Sequence, residues 1–219
     1  MHSFSHSHQH ENETNSEGIL IHNAGLYDSI FGHFLNFSNG RIIELAGIKP
    51  GDTVLDVGSG PGSLTLKAKT IAGQRGKVYG VDGSKEMVAL AQHKASKAGA
   101  AVDFQVALAQ ELPFPDNTFD VVFSRLFIHH LPGDLKLSGF KEIERVLKPG
   151  GSCLVVDFEP PKLLGVPLKK LVSNPHRMTQ INVKDFVPMM KVTNYTELET
   201  GPTGRWLLSY VKGRKTKPL

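Results

Sequence analysis

The stretch VLDVGSGPG, residues 54–62, decides how the rest of the chain is read. An apolar run closes around an acid, Asp56, and glycines follow at every second position: Gly58, Gly60 and Gly62, with Ser59 and Pro61 between them. Glycine has no Cβ, so a backbone built this way turns tightly and lets a ligand touch it. Pro61 stiffens the turn. Asp56, at the strand end, is placed to anchor the loop or to reach a cationic ligand.

Outward from this stretch, strand and helix patterns alternate. Strand patterns fall at Thr53–Val57, Lys77–Asp82 and residues 101–106, 119–124 and 151–158. Between them, Ser84 caps a helix over 85–98, with Met87, Leu90, Ala91 and Lys94 on one face and Gly99 as the stop. Phe140, Ile143, Val146 and Leu147 lie at helical spacing in a run ending at Pro149 and Gly150. Short helices are expected over 24–35 and 39–47, and a further one near 182–192. Apolar strands alternating with amphipathic helices predict a parallel sheet covered on both faces. The C-terminal part differs. YTELET (195–200) and RWLLSYVKG (205–213) flank GPTG, which predicts an antiparallel hairpin turning at 201–204. The fold class is α/β, a doubly wound sheet closed by that hairpin.

In such sheets ligands bind beyond the carboxyl ends of the strands, where strand order reverses. The glycine loop lies there. Asp82 ends the second strand twenty residues after Gly62, where a carboxylate accepts the hydroxyls of a ribose. A nicotinamide dinucleotide is the obvious competitor, but its G-x-G-x-x-G fingerprint would need glycine where Ser63 stands.

VLDVGSGPG, VYGVDGS, LPFPDNTFDVVFS and LKPGG, in this order, resemble the motifs of class I S-adenosylmethionine (SAM)-dependent methyltransferases, of the ubiquinone/menaquinone-biosynthesis methyltransferase-like group. The resemblance runs from about residue 26 to 212. It implies a seven-stranded, mostly parallel, Rossmann-like sheet with a reversed last strand. It implies SAM as cofactor, held over Asp56, Gly58, Ser59, Gly60 and Gly62, with the ribose on Asp82. Gly83, Ser84 and Met87 would border ribose and adenine, and Ser124 and Arg125 would complete the cofactor side. The family often carries an acid before its L-P-F motif; here Leu108 takes that place, leaving adenine to Ala109 and Gln110.

The methyl group of SAM is already electrophilic. The protein has to align the acceptor and, where needed, remove a proton. Candidates follow the fourth and fifth strands: His130, ranked first for its ordinary pKa and its position, then His129, then Asp157. Packing is the competing reading of both histidines. Residues 158–182, rich in leucine and proline and carrying Lys169 and Lys170, are expected to cap the acceptor, and His176, Arg177 and Met178 are placed to face it.

The remaining features bound the answer. At 219 residues the chain fits one domain, residues 19–219. Residues 1–18 form a polar, histidine-rich arm expected to be disordered, with His2, His6, His8 and His10 able to hold a soft metal only adventitiously. No metal is assigned to the site. The net charge of +4 is partly carried by Lys212, Arg214, Lys215 and Lys217, read as a solvated tail; no nucleic-acid partner is expected. Cys153 is the only cysteine and reads as a buried small hydrophobe. With no secretory leader pattern and no membrane-spanning run, a cytoplasmic location is expected. The partner is a small-molecule methyl acceptor with an O, N or C nucleophile, lipophilic if the basic, leucine-rich cap selects it. The alternatives are a protein or nucleic-acid methyltransferase, and a SAM-binding regulator or cyclase that does not methylate.

Overall fold

The computed structural model describes residues 39–159, 162–163, 166–167, 182–205 and 207–217. The arm, the helix expected over 24–35 and nearly all of the expected acceptor cap, with His176, Arg177 and Met178, lie outside the described residues.

Seven strands form one sheet: β1 (Thr53–Val57), β2 (Lys77–Asp82), β3 (Asp103–Val106), β4 (Phe119–Arg125), β5 (Leu147–Phe158), β6 (Tyr195–Arg205) and β7 (Leu208–Lys215). Their order is β3-β2-β1-β4-β5-β7-β6. The first five run parallel, and β7 enters antiparallel to β5 with β6 antiparallel outside it. The order reverses between β1 and β4, so the loops leaving those two strands diverge and open a crevice.

Helices cover both faces because successive strand residues point to opposite sides. On one face α1 (Asn39–Ala46) and α2 (Ser63–Ala72) supply Ile42, Ile43, Leu64 and Ala68 to a core with Val54, Val121, Phe123, Leu154 and Val156. On the other, α4 (Gly133–Val146) and α5 (Val187–Val192) bring Phe140, Ile143 and Met190 against Leu55, Val57, Val122, Cys153 and Val155. Each such side chain taken from water stabilises by about 1.5–3 kcal/mol before the cost in chain entropy. Between β2 and β3, α3 (Lys85–Lys97) starts at Ser84, whose hydroxyl accepts the Met87 N–H, and is followed by Gly99 in the left-handed region. Its buried stripe is Met87, Val88, Ala91 and Ala95, so Val88 takes the place expected of Leu90.

Three expectations need correction. Helix α4 stops at Val146 and β5 begins at Leu147, before Pro149 rather than at it. Proline disfavours the helical region for the residue ahead of it, so Lys148 is already extended. Leu147 pairs with Phe119 and Ser152 with Val121, so residues 148–151 bulge from the ladder, with Gly150 at a φ of 77°. The hairpin does not turn at GPTG. Those residues stay within β6, where the register shifts between Pro202 and Arg205, and Arg205 pairs with Leu208 after the reversal, with Leu207 at a φ of 69°. The basic run is not a solvated tail. Lys212 Nζ donates to the Leu45 carbonyl near the end of α1, and Lys215 Nζ to the Glu144 and Arg145 carbonyls near the end of α4. Alternation along β7 sends these two cations to opposite faces, each meeting the negative end of a helix.

Candidate functional site

The glycine loop after β1 holds Gly58, Gly60 and Gly62 at φ of 73°, 51° and 78°, all left-handed. Their surroundings differ. A Cβ on Gly58 would lie 2.1 Å from the ring of Phe127, and one on Gly62 2.7 Å from that of Phe104. Among the described residues, and apart from its own chain neighbours, a Cβ on Gly60 would meet nothing within 4 Å. Two of the glycines admit neighbouring rings; the third borders open space. Gly80 on β2 belongs to the same packing, since a side chain there would strike Phe104 at 2.6 Å and Ser59 at 3.1 Å.

Two acids fix the loop from below. Asp82 Oδ2 accepts the Gly60 N–H at 2.8 Å, and its Oδ1 accepts the Ser84 N–H at 2.9 Å. Burial raises its pKa, while these two bonds pull it back. One carboxylate thus ties the glycine loop to the turn at Gly83 and Ser84, and keeps lone pairs for further donors. Asp56 is buried and accepts the Thr65 hydroxyl at 2.6 Å, joining β1 to the first turn of α2. Burial pushes its pKa up to about 7, against the Thr65 bond and the nearby Arg125 charge. Thr65 was not singled out in the sequence; a hydroxyl in the first turn of the following helix, nine residues after the acid, is the signal that finds it.

Beyond β4, Ser124 is buried and donates to the Val57 carbonyl at 2.7 Å, which staples β4 to β1 at the switch point. Arg125 donates to the Asn39 side chain, bringing the start of α1 to the same edge. The chain then turns through Leu126, at a φ of 54°, and Phe127 into a short 3-10 turn over Ile128–His130. His129 Nδ1 faces Asp157 Oδ1 at 2.8 Å, and the His130 ring lies on the His129 ring with centroids 3.9 Å apart. Burial first, then His129 alongside, pushes His130 down to about 4. The ranking by ordinary pKa that put His130 first among the bases therefore loses its basis.

Gln110 lies in the loop after β3. That loop is held by Arg145 of α4, whose guanidinium donates to the Leu112 and Phe114 carbonyls and to Glu142 and Asp116, while Glu142 accepts the Leu112 N–H. Ala109 and Met87 are buried beside it. Among the described residues, three buried side-chain atoms have no hydrogen-bond partner: Ser59 Oγ, Gln110 Oε1 and Asp157 Oδ2. Each follows or ends a strand at its carboxyl end. A buried polar atom without a partner costs about 1–3 kcal/mol, so three at one edge of the sheet mark where something else supplies the bonds.

The family model described as "Methyltransferase domain" matches residues 55–155. A solved SAM-dependent methyltransferase from Aquifex aeolicus is 25% identical with a TM-score of 0.68, covering 80% of this chain and 88% of that one. Residues 55–155 are thus similar to a methyltransferase domain, and the fold to that of a SAM-dependent methyltransferase. Within that class the chain is similar to the ubiquinone/menaquinone biosynthesis C-methyltransferase UbiE of Hydrogenovibrio crunogenus, at 35% identity over 149 residues. That match takes in 65% of this chain and 58% of that protein, and the chain spans about half the length of the curated relatives it matches. The [4+2]-cyclase SpnF shares the fold at 18% identity, with a TM-score of 0.69 over 84% of this chain and 81% of that one.

Proposed function

We propose that this protein binds SAM on the glycine loop and transfers its methyl group to a small, lipophilic acceptor. The observation that carries the reading is Gly60. It is the one glycine of the loop residues 58–62 whose side-chain direction is open, and its N–H is fixed by Asp82, the acid placed to take ribose hydroxyls. The donor set fits an adenosine. Asp82 keeps free lone pairs beside the loop, and Ser59 and Gln110 each hold a polar atom without a partner. Gln110 stands two residues after Leu108, where relatives often have an acid, and its Oε1 is the acceptor an adenine amino group requires.

When bound, SAM supplies a methyl group activated by its sulfonium. The chain's own work is to orient and to exclude water. Gly58 and Gly62 admit Phe127 and Phe104 beneath the loop and keep it close to the sheet. Asp56 ties β1 to α2 through Thr65, and the Arg125 charge lies close enough to pull its pKa down against burial. His129, His130 and Asp157 stand at the ends of β4 and β5, where the acceptor's nucleophile would sit. The similarity to C-methyltransferases of ubiquinone and menaquinone biosynthesis supports a quinone-type ring carbon as the methylated atom. No described helix is long and apolar enough to cross a membrane.

SAM-binding proteins that do not methylate are the second reading, since the same fold carries a cyclase. Isothermal calorimetry with SAM and label transfer from methyl-labelled SAM to a reduced short-chain demethylmenaquinone test both. Binding with transfer is expected. Binding without transfer to this quinol or to any component of a metabolite extract would move the protein to the second reading.

A further inference from the structure

We propose that His129 is the general base of the reaction, held in the working tautomer by Asp157 as its positioning residue. The proposal rests on the methyl-transfer reading for its acceptor, but its geometry stands apart from it. Asp157 Oδ1 accepts the Phe158 N–H at 2.8 Å. An oxygen already taking one donor acts as an acceptor, so the nitrogen 2.8 Å from it, His129 Nδ1, carries the proton. That fixes the neutral ring as Nδ1–H, with the lone pair on Nε2. Among the described residues nothing bonds to Nε2. Nε2 is not among the buried atoms without a partner, so it opens on the crevice, where an acceptor's proton can reach it.

The surroundings hold this ring in place. The 3-10 turn at Ile128–His130 is closed by the His130 N–H donating to the Phe127 carbonyl at 2.9 Å. Phe158 meets the His129 ring edge to face at 5.5 Å, and His130 covers its other side. His130 stays uncharged at neutral pH, so it does not oppose a charge forming on its neighbour. Asp157 is fully buried, and its Oδ1 lies beside the ring where an imidazolium would form. Its second oxygen, Oδ2, has no partner and is available to a donor arriving with the acceptor. As the acceptor's nucleophilic atom gives its electron pair to the incoming methyl carbon, its proton passes to His129 Nε2. The carbon–sulfur pair stays with sulfur, and the proton leaves to water after product release.

Nitrogen-15 NMR of the histidine-labelled full chain, with S-adenosylhomocysteine added, reads the tautomer without turnover. His129 signals, assigned by their loss in His129→Gln, should report Nδ1–H. Asp157→Ala should scramble them, while Asp157→Asn, whose amide oxygen still accepts, should preserve them. An Nε2–H ring in the wild type would overturn the proposal. With methyl-labelled SAM and a whole-cell metabolite extract, His129→Gln should lower label incorporation about 10²–10⁴-fold with S-adenosylhomocysteine affinity retained. Incorporation at the wild-type rate would overturn a base role. Failure of S-adenosylhomocysteine to bind the wild type would instead sink the cofactor reading, and the tautomer would still decide the dyad.

Discussion

At Gly60 an added methyl group would find no other described residue within 4 Å beyond its chain neighbours, whereas at Gly58 and Gly62 it would strike Phe127 and Phe104. The same substitution therefore separates folding from binding. Gly60→Ala should cost about 1–2 kcal/mol for its left-handed backbone and abolish SAM binding. Gly62→Ala should lose more stability, because ring and backbone both resist, and should lower the melting temperature further. Melting curves and calorimetry on the two variants check this; a Gly60→Ala protein that binds SAM normally would show that the loop is not the site. Asp56 gives a second residue-scale prediction. Its folded pKa, about 7, lies above its ordinary 3.8 because burial disfavours the charge. Between those values the folded state holds the proton more tightly than the unfolded state, so stability falls as pH rises through that window and levels off above it. Asp56→Asn removes this loss and still offers Thr65 an oxygen. Without ligand it should melt above the wild type at pH 8, with the gap closing toward pH 5. A gap that does not vary with pH would mean that Asp56 stays charged in the fold.

At the scale of elements, the loop between β3 and β4 has little regular structure and depends on one side chain of α4. Arg145 holds the Leu112 and Phe114 carbonyls together with Glu142 and Asp116. Tyr79, Phe114 and Phe119 pack edge to face around the loop's other side. Arg145→Met keeps the stem of the side chain and removes the fork. It should cost about 1.5–3 kcal/mol, the range for bonds to a charged group, and speed hydrogen exchange over residues 107–116. Unchanged exchange there would mean that the aromatic trio alone holds the loop. The elements also show where sequence reading stops. The order of strands and helices, the Ser84 cap and the glycine loop were legible because each depends on local chemistry. The hairpin turn was misplaced because Gly201 and Gly204 look like a turn locally, while the ladder with β7 runs through them. The basic run looked solvated because nothing in its own neighbourhood shows that Lys212 and Lys215 meet the ends of α1 and α4. The His129–Asp157 contact joins residues 28 apart in the chain, and burial set the His130 pKa, so neither was open to a reading by proximity.

For the whole molecule, the three unpartnered atoms at the carboxyl edge of the sheet come from loops or strand ends after β1, β3 and β5, far apart in sequence. They share one edge because β1, β3 and β5 belong to the parallel part of the sheet. A cofactor that takes up Ser59 and Gln110 should act on the global equilibrium, since it binds the folded chain and not the unfolded one. At a concentration one hundred times its dissociation constant, such a ligand adds about 2.7 kcal/mol of stability. For a domain of this size each kcal/mol raises the melting temperature by about 2–4 °C, so S-adenosylhomocysteine should raise it by roughly 5–11 °C. The Gly60→Ala protein should show no rise at the same concentration, and His129→Gln should show the full one, because its ring serves the acceptor and not the cofactor. Differential scanning calorimetry on the three proteins, with and without ligand, makes the comparison. A full rise in Gly60→Ala would place the cofactor elsewhere on the sheet, and a lost rise in His129→Gln would make that histidine part of the cofactor site instead of the base.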